Sequence, residues 1–238
     1  MGKILIEDRS IAVPGEILAE GMDFLPAGGV FRENDKIIAS QIGIVNIDNR
    51  LVKLIPLNGR YSPKKSDMVI GDVVNITFSG WVIDIGCTNF AVLPIRDATS
   101  DFIDKGEDLS RYYGFKDIVV AKISNVSKTN LIDLTMKGPG LMKIKGGMLI
   151  DVTPSRVPRI IGKQGSMISL LKERTGCKII VGQNGKVWIK GENFESEKKA
   201  IDAIRMINNL AHTTGLTDKI SEFLGGSENV QKKEQETG

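Results

Sequence analysis

The sequence predicts a multidomain protein of the β and α+β classes: a small β-rich unit, a five-stranded barrel, and a unit of order β-α-α-β-β-α. Three observations carry this. Short apolar runs of strand length, separated by turn residues, fill residues 1–136. Helical periodicity begins only after them and flanks Gly162-Lys163-Gln164-Gly165. Basic charge gathers in the same place. Residues 137–215 carry 14 basic and 6 acidic side chains, against 7 and 8 in residues 1–60 and 8 and 10 in residues 61–136, an asymmetry that the net charge of +3 conceals. Such a local surplus suits a polyanionic partner.

In the first unit, residues 1–62, Val13-Pro14-Gly15-Glu16 is a turn signal: Pro presets φ and Gly allows φ > 0. Pro26-Ala27-Gly28-Gly29 is a second. Ile42–Ile47 and Leu51–Leu57 read as strands of a hairpin turning at Asp48-Asn49. So short and loop-rich a unit has a limited core, which suggests that it docks on something else.

The second unit, residues 63–140, contains five strand candidates: Val73–Phe78, Trp81–Ile85, Phe90–Leu93, Ile118–Ile123 and Leu131–Met136. Val74, Ile76 and Phe78 are expected to share one face of the first. Five short strands with a longer excursion before the fourth suit an OB-type barrel. Gly71-Asp72-Val73-Val74, Ser79-Gly80-Trp81 and Leu93-Pro94-Ile95 resemble the S1 RNA-binding domain, an OB-fold family. Barrels of this type stack bases on aromatics over a basic groove. Trp81 and Phe90 are the candidates for stacking, although both lie in apolar-patterned strands and equally suit a core. Arg96, Lys122 and Lys128 are the candidates for a basic patch. Asp97, Asp101, Asp104, Glu107 and Asp108 raise the question of a two-metal nuclease. They lie among Ser, Thr, Lys and Gly, and a solvated loop is the expectation.

The third unit, residues 141–224, follows Lys145-Gly146-Gly147, which reads as a linker. A strand over Met148–Thr153 and a short helix over Ser155–Ile161 lead into the glycine loop. Ser166 is the expected N-cap of the next helix, and Gly176 its stop. Cys177–Val181 and Lys186–Lys190 are strands joined by Asn184-Gly185. A final helix starts near Asn193–Ser196 and buries Ala200, Ala203, Ile204, Ile207 and Leu210. This is the order of a type I KH domain, with its glycine loop between the two helices. KH domains clamp a nucleic-acid backbone with that loop, gripping about four nucleotides against a second, variable loop. The resemblance implies that Gly162 and Gly165 allow close approach, that Lys163 and Arg159 would meet phosphates with Gln164 between the glycines, and that Ile160 and Ile161 would floor the bases. Residues 225–238 are polar and read as a disordered tail.

No apolar run approaches the ~18 residues of a membrane span. Residues 1–9 lack the apolar core of a signal peptide, so a soluble, cytoplasmic protein is expected. Cys87 and Cys177 lie far apart and read as reduced thiols in or near cores. His212 is the single histidine. No catalytic residue, metal site or cofactor is expected.

The order of units resembles the S1/KH cap subunit of the RNA exosome, of the ribosomal-RNA-processing protein four type, in its archaeal form. Val13-Pro14-Gly15-Glu16, Ser79-Gly80-Trp81 and Ile161-Gly162-Lys163-Gln164-Gly165-Ser166-Met167 carry the likeness, as does Gly182-Gln183-Asn184-Gly185 with its Gly-x-Asn-Gly phrase. The resemblance implies a non-catalytic RNA-binding cap. It implies docking of the first unit, through Val13 to Glu16, on a hexameric ring of RNase PH-type subunits. It implies two further copies of this chain, or of a related cap subunit, on the same ring. It also implies capture of single-stranded RNA with adenine-rich 3′ tails. The competing reading is an S1/KH transcription or translation factor that binds RNA outside an exosome.

Overall fold

The computed structural model describes residues 2–57, 59–99, 103–104, 106–210 and 215–235, with side chains as far as residue 225. Two compact units divide at Gly59 and Arg60. Among the described residues, no helix is long and apolar enough to cross a membrane.

The first unit is all β. Its strands are β1 (Lys3–Ile4), β2 (Ile11–Ala12), β3 (Ile17–Glu20), β4 (Leu25–Pro26), β5 (Val30–Glu33), β6 (Lys36–Ala39), β7 (Gly43–Asp48) and β8 (Leu51–Pro56). They form two four-stranded sheets, ordered β1-β3-β6-β5 and β2-β7-β8-β4. Leu18, Ile37, Val45, Val52 and Leu54 form the core between them. The expected hairpin is β7–β8, with Asp48 opposite Leu51 and Asn49 at φ 53°. Val13-Pro14-Gly15-Glu16 is a closed turn: the Glu16 amide donates to the Val13 carbonyl, and the Val13 amide donates to the Glu16 carboxylate.

The second unit begins with a barrel of β9 (Met68–Thr77), β10 (Gly80–Asp84), β11 (Ala91–Pro94), β12 (Ile118–Val126) and β13 (Ile132–Thr135). The sheet runs β13-β11-β10-β9-β12, and β12 pairs back onto β13, so the barrel closes. Closure removes its edges. A short helix, α1 (Ile95–Ala98), opens the excursion before β12. β14 (Met142–Ile144) adds to β12 outside the barrel. The expected common face of Val74, Ile76 and Phe78 is corrected. A bulge lies opposite Val82/Ile83, so Val73 and Ile76 both reach the core, and Phe78, just past the end of β9, is 97% exposed. The extra residue of a bulge reverses the alternation, and no periodicity announces it.

The helical part has β15 (Met148–Asp151), β16 (Lys178–Val181) and β17 (Lys186–Lys190) in the order β15-β17-β16. One face is covered by α2 (Val157–Ile161), α3 (Ser166–Thr175), α4 (Phe194–Leu210) and α5 (Leu216–Gln235). Asn193 caps α4 by accepting from the Ser196 amide. α5 was not legible in the sequence pattern. Leu216, Ile220 and Leu224 recur every fourth residue and are buried in this core. Its backbone runs on to Gln235, through most of the stretch that reads as a disordered tail.

Candidate nucleic-acid interface

α2 ends at Gly162, a single 3₁₀ turn carries Lys163–Gly165, and α3 starts at Ser166. The expected capping role of Ser166 is corrected. It is the first helical residue, Gly165 occupies the cap position, and no side chain caps α3. The two glycines do different work. A Cβ on Gly162, whose φ is 76°, would lie 2.6 Å from the Met167 amide nitrogen. Gly162 therefore lets α3 fold back against the end of α2. Gly165 has φ 81°, yet a Cβ there would meet only Ile168, at 3.9 Å. Its outer side is open to a ligand backbone. Arg159, Lys163 and Gln164 are exposed, Ile161 is half-buried and Ile160 lies wholly in the core. Two cations, open backbone and an uncapped helix start make an anion-receptive loop.

The second loop of a KH clamp is Gly182–Gly185, between β16 and β17, and it is committed elsewhere. The Asn184 side-chain amide donates to the carbonyls of Ile70 (2.7 Å) and Ile85 (2.9 Å) and accepts from the Ile70 amide (3.2 Å). The Gln183 amide donates to the Met68 carbonyl, and Lys186 pairs with Asp72 at 3.2 Å. Gly182 has no room for a side chain, since a Cβ would lie 2.3 Å from Asn184 Oδ1. Behind this loop Trp188 packs with Ile70, Val120 and Ile144, and its indole N–H donates to Gly146. The Lys145-Gly146-Gly147 linker is thus pinned beneath the sheet. The loop read as a simple hairpin is a clamp between barrel and KH fold.

On the barrel, Trp81 is corrected as a stacking candidate. It is fully buried, its N–H donates to the Tyr113 carbonyl (2.8 Å), and its ring meets Tyr113 edge-on with centroids 5.2 Å apart. Phe90 is 57% exposed. The Asn89 side chain donates to the Asn130 carbonyl, which brings Phe90 and exposed Lys128 to one end of the barrel. Arg96, in α1, lies at the other end and pairs with Asp97. Lys122 is exposed on β12, opposite Thr135. These residues do not form one patch. Phe78, missed by sequence reasoning, stands at the Arg96 end beside a cavity of about 540 Å³ lined by Ile76, Ile95, Asp104 and Glu107. Only its place at a hairpin tip, next to Ser79-Gly80, could have signalled its exposure.

Two carboxylates of the excursion, Glu107 and Asp108, serve local structure. Asp108 accepts from the Ser110 amide, and hydrogen bonds from Ser110 hold its carboxyl below the usual range. Glu107 accepts from the Tyr112 hydroxyl. Asp101 lies outside the described residues, as does His212. Among the described residues no three His, Cys, Asp or Glu side chains gather as metal ligands. Cys177 is buried and Cys87 half-buried, and both thiols are free.

The model of an exosome RNA-binding protein RRP4 N-terminal domain matches residues 9–58, and that of a KH domain matches residues 147–194. Over 227 residues the chain is 44% identical to "Exosome complex component Rrp4" of Thermococcus kodakarensis, covering 94% of this chain and 88% of the relative. The chain belongs to the Rrp4 family of exosome complex components. The Rrp4 of Methanothermus fervidus is 43% identical over 222 residues, 93% of this chain and 97% of the relative. A crystal structure of an exosome complex RNA-binding protein superposes with a TM-score of 0.65 at 32% identity, over 73% of this chain and 99% of that one. For this Rrp4-family chain, the expected fold, with an N-terminal β unit, an OB-type barrel and a KH domain, is therefore the fold observed.

Proposed function

We propose that this chain is a non-catalytic, RNA-binding cap subunit of an exosome, which captures single-stranded RNA and guides its 3′ end to a phosphorolytic ring. The observation that carries the reading is likeness to exosome Rrp4 proteins over nearly the whole chain, combined with the open cationic loop at Gly162–Gly165. Arg159 and Lys163 hold phosphates, and the open side of Gly165 admits the sugar-phosphate backbone. Because Gly182–Gly185 is committed to the barrel, this KH fold offers one jaw of the usual clamp. It acts as an auxiliary contact beside the barrel, where Phe90, Lys128 and Lys122 give further contacts.

The first unit docks on a hexameric ring of RNase PH-type subunits, together with two further copies of this chain or of a related cap subunit. Its surface supports a protein partner. Ile11, Ile44 and Ile55 lie side by side across β2, β7 and β8, and Ile11 and Ile55 are 61% and 50% exposed. Val13, beside them in sequence, is 51% exposed. Contiguous exposed apolar surface marks an interaction site. A preference for adenine-rich tails belongs to the same reading.

Native mass measurement of complexes captured with tagged full-length chain tests this. Three copies on six ring subunits are expected, with Ile11→Glu/Ile55→Glu abolishing assembly but sparing RNA binding. Capture of ribosomes or RNA polymerase instead would overturn it.

A further inference from the structure

A groove of about 750 Å³ opens where barrel and KH fold meet, at the end of α3 away from the Gly162 loop. Lys143 and Lys145 line it from β14 and the linker, and Lys172, Lys178 and Lys190 line it from the KH fold. Glu192 is the single acidic residue in its lining. Lys143 is paired with Asp117, and Lys190 donates to the Lys145 carbonyl. Lys145, Lys172 and Lys178 are exposed, and their ammonium groups make no ion pair among the described residues. Like charges gathered around one concavity repel one another, and a polyanion relieves that repulsion.

We propose that this groove is a second track for the phosphate backbone of single-stranded RNA, held without regard to base. The inference rests on the RNA-binding reading above and adds a site to it. Both walls are free strand edges, since β14 ends the barrel sheet and β16 ends the KH sheet. Lysines on short edges oppose the addition of a peptide strand, which favours a nucleic acid over an acidic peptide as occupant. The lining has no exposed aromatic ring: Trp188 is 6% exposed. Cationic grooves with stacking platforms hold single strands by their bases as well as their phosphates. Met142, Ile144, Ile179 and Ile180 also line the groove but offer no ring to stack on, so its lysines make the contacts with the strand, to phosphates. α3 connects the two sites. It begins at the glycine loop and reaches the groove near Lys172 and Gly176, and its ten residues span about 15 Å. A strand of a few nucleotides can engage both.

The test is fluorescence anisotropy with the full chain and labelled oligo(rU) and oligo(rA), across a salt series. Lys145→Glu/Lys178→Glu should weaken both oligonucleotides by the same factor, about tenfold, and lower the salt slope by about 1.4, the loss of two phosphate contacts on a single strand. Lys145→Gln/Lys178→Gln, which adds no negative charge, should act in the same direction. If the charge-reversed groove binds like wild type while Arg159→Glu/Lys163→Glu loses affinity, the groove proposal falls and the RNA-binding reading stands. If wild type binds neither oligonucleotide, both fall. Weakening of one oligonucleotide alone overturns base-independence. An oligo-glutamate peptide whose binding needs Lys145 and Lys178, with RNA binding untouched, would assign the groove to a protein.

Discussion

Asn184 satisfies both backbone polar groups of Ile70, accepting from its amide and donating to its carbonyl. A side-chain amide has one donor pair and one acceptor in a fixed plane, so it can stand in for a neighbouring strand at one residue. Asn184 is 8% exposed and Ile70 is fully buried, so no solvent replaces these bonds. Asn184→Ala should cost about 3 kcal/mol by leaving buried groups unpaired. Urea unfolding would measure it. Asn184→Asp should be at least as damaging, since a carboxylate cannot donate to the carbonyls of Ile70 and Ile85.

The two glycines of the loop should separate stability from binding. Gly162→Ala meets the α3 backbone and should lower the unfolding midpoint clearly. Gly165→Asp has free space and carries only the left-handed backbone penalty, about 1 kcal/mol. It should remain folded while losing part of its RNA affinity in an anisotropy titration, because it sets a negative charge where phosphate is to sit.

Trp81 and Trp188 are both buried. Intrinsic tryptophan emission should therefore be blue-shifted in the native chain and unchanged when RNA is added. Quenching on RNA addition would mean that one of the rings stacks on a base. Trp81→Phe should destabilise by about 2 kcal/mol, through the lost bond to Tyr113 and the lost contact.

Alkaline pH should loosen the start of the second unit. Burial, then the hydrogen bond to Asp67, pushes the Tyr61 phenol well above its ordinary range. A raised folded-state pKa means the contribution is whole below the unfolded value near 10 and is lost as pH rises beyond it. Tyr61→Phe should cost about 1 kcal/mol at pH 7, the site being half-exposed, and should flatten the decline above pH 10. Cys87 lies beside it. Burial, then Asp84, pushes that thiol up to about 11. Its alkylation should be slow at pH 8 and accelerate toward pH 11, as followed by mass spectrometry.

The elements legible in the sequence were those whose period is uninterrupted. β10, β11 and β13 alternate, α4 repeats at helical spacing, and the glycine loop lies where the KH order requires. What escaped depends on partners distant in the chain. The bulge of β9 exists only relative to β10. Asn184-Gly185 carries the signature of a hairpin turn, and nothing local distinguishes a turn asparagine from one that reaches Ile70, 114 residues away. Trp81 has the composition of a platform and the environment of a core, and only barrel closure decides between them. α5 was hidden because its three buried residues are thinly spread among polar ones.

The pinned linker bears on the thermodynamics of capture. Two modules on a slack tether must give up their relative motion each time they close on the same strand. In this chain Trp188 holds Gly146, and Asn184 and Lys186 hold β9, so that freedom is surrendered once, at folding. A strand that reaches both the Gly162 loop and the barrel meets a preassembled surface, and its second contact adds to the first without a fresh ordering cost.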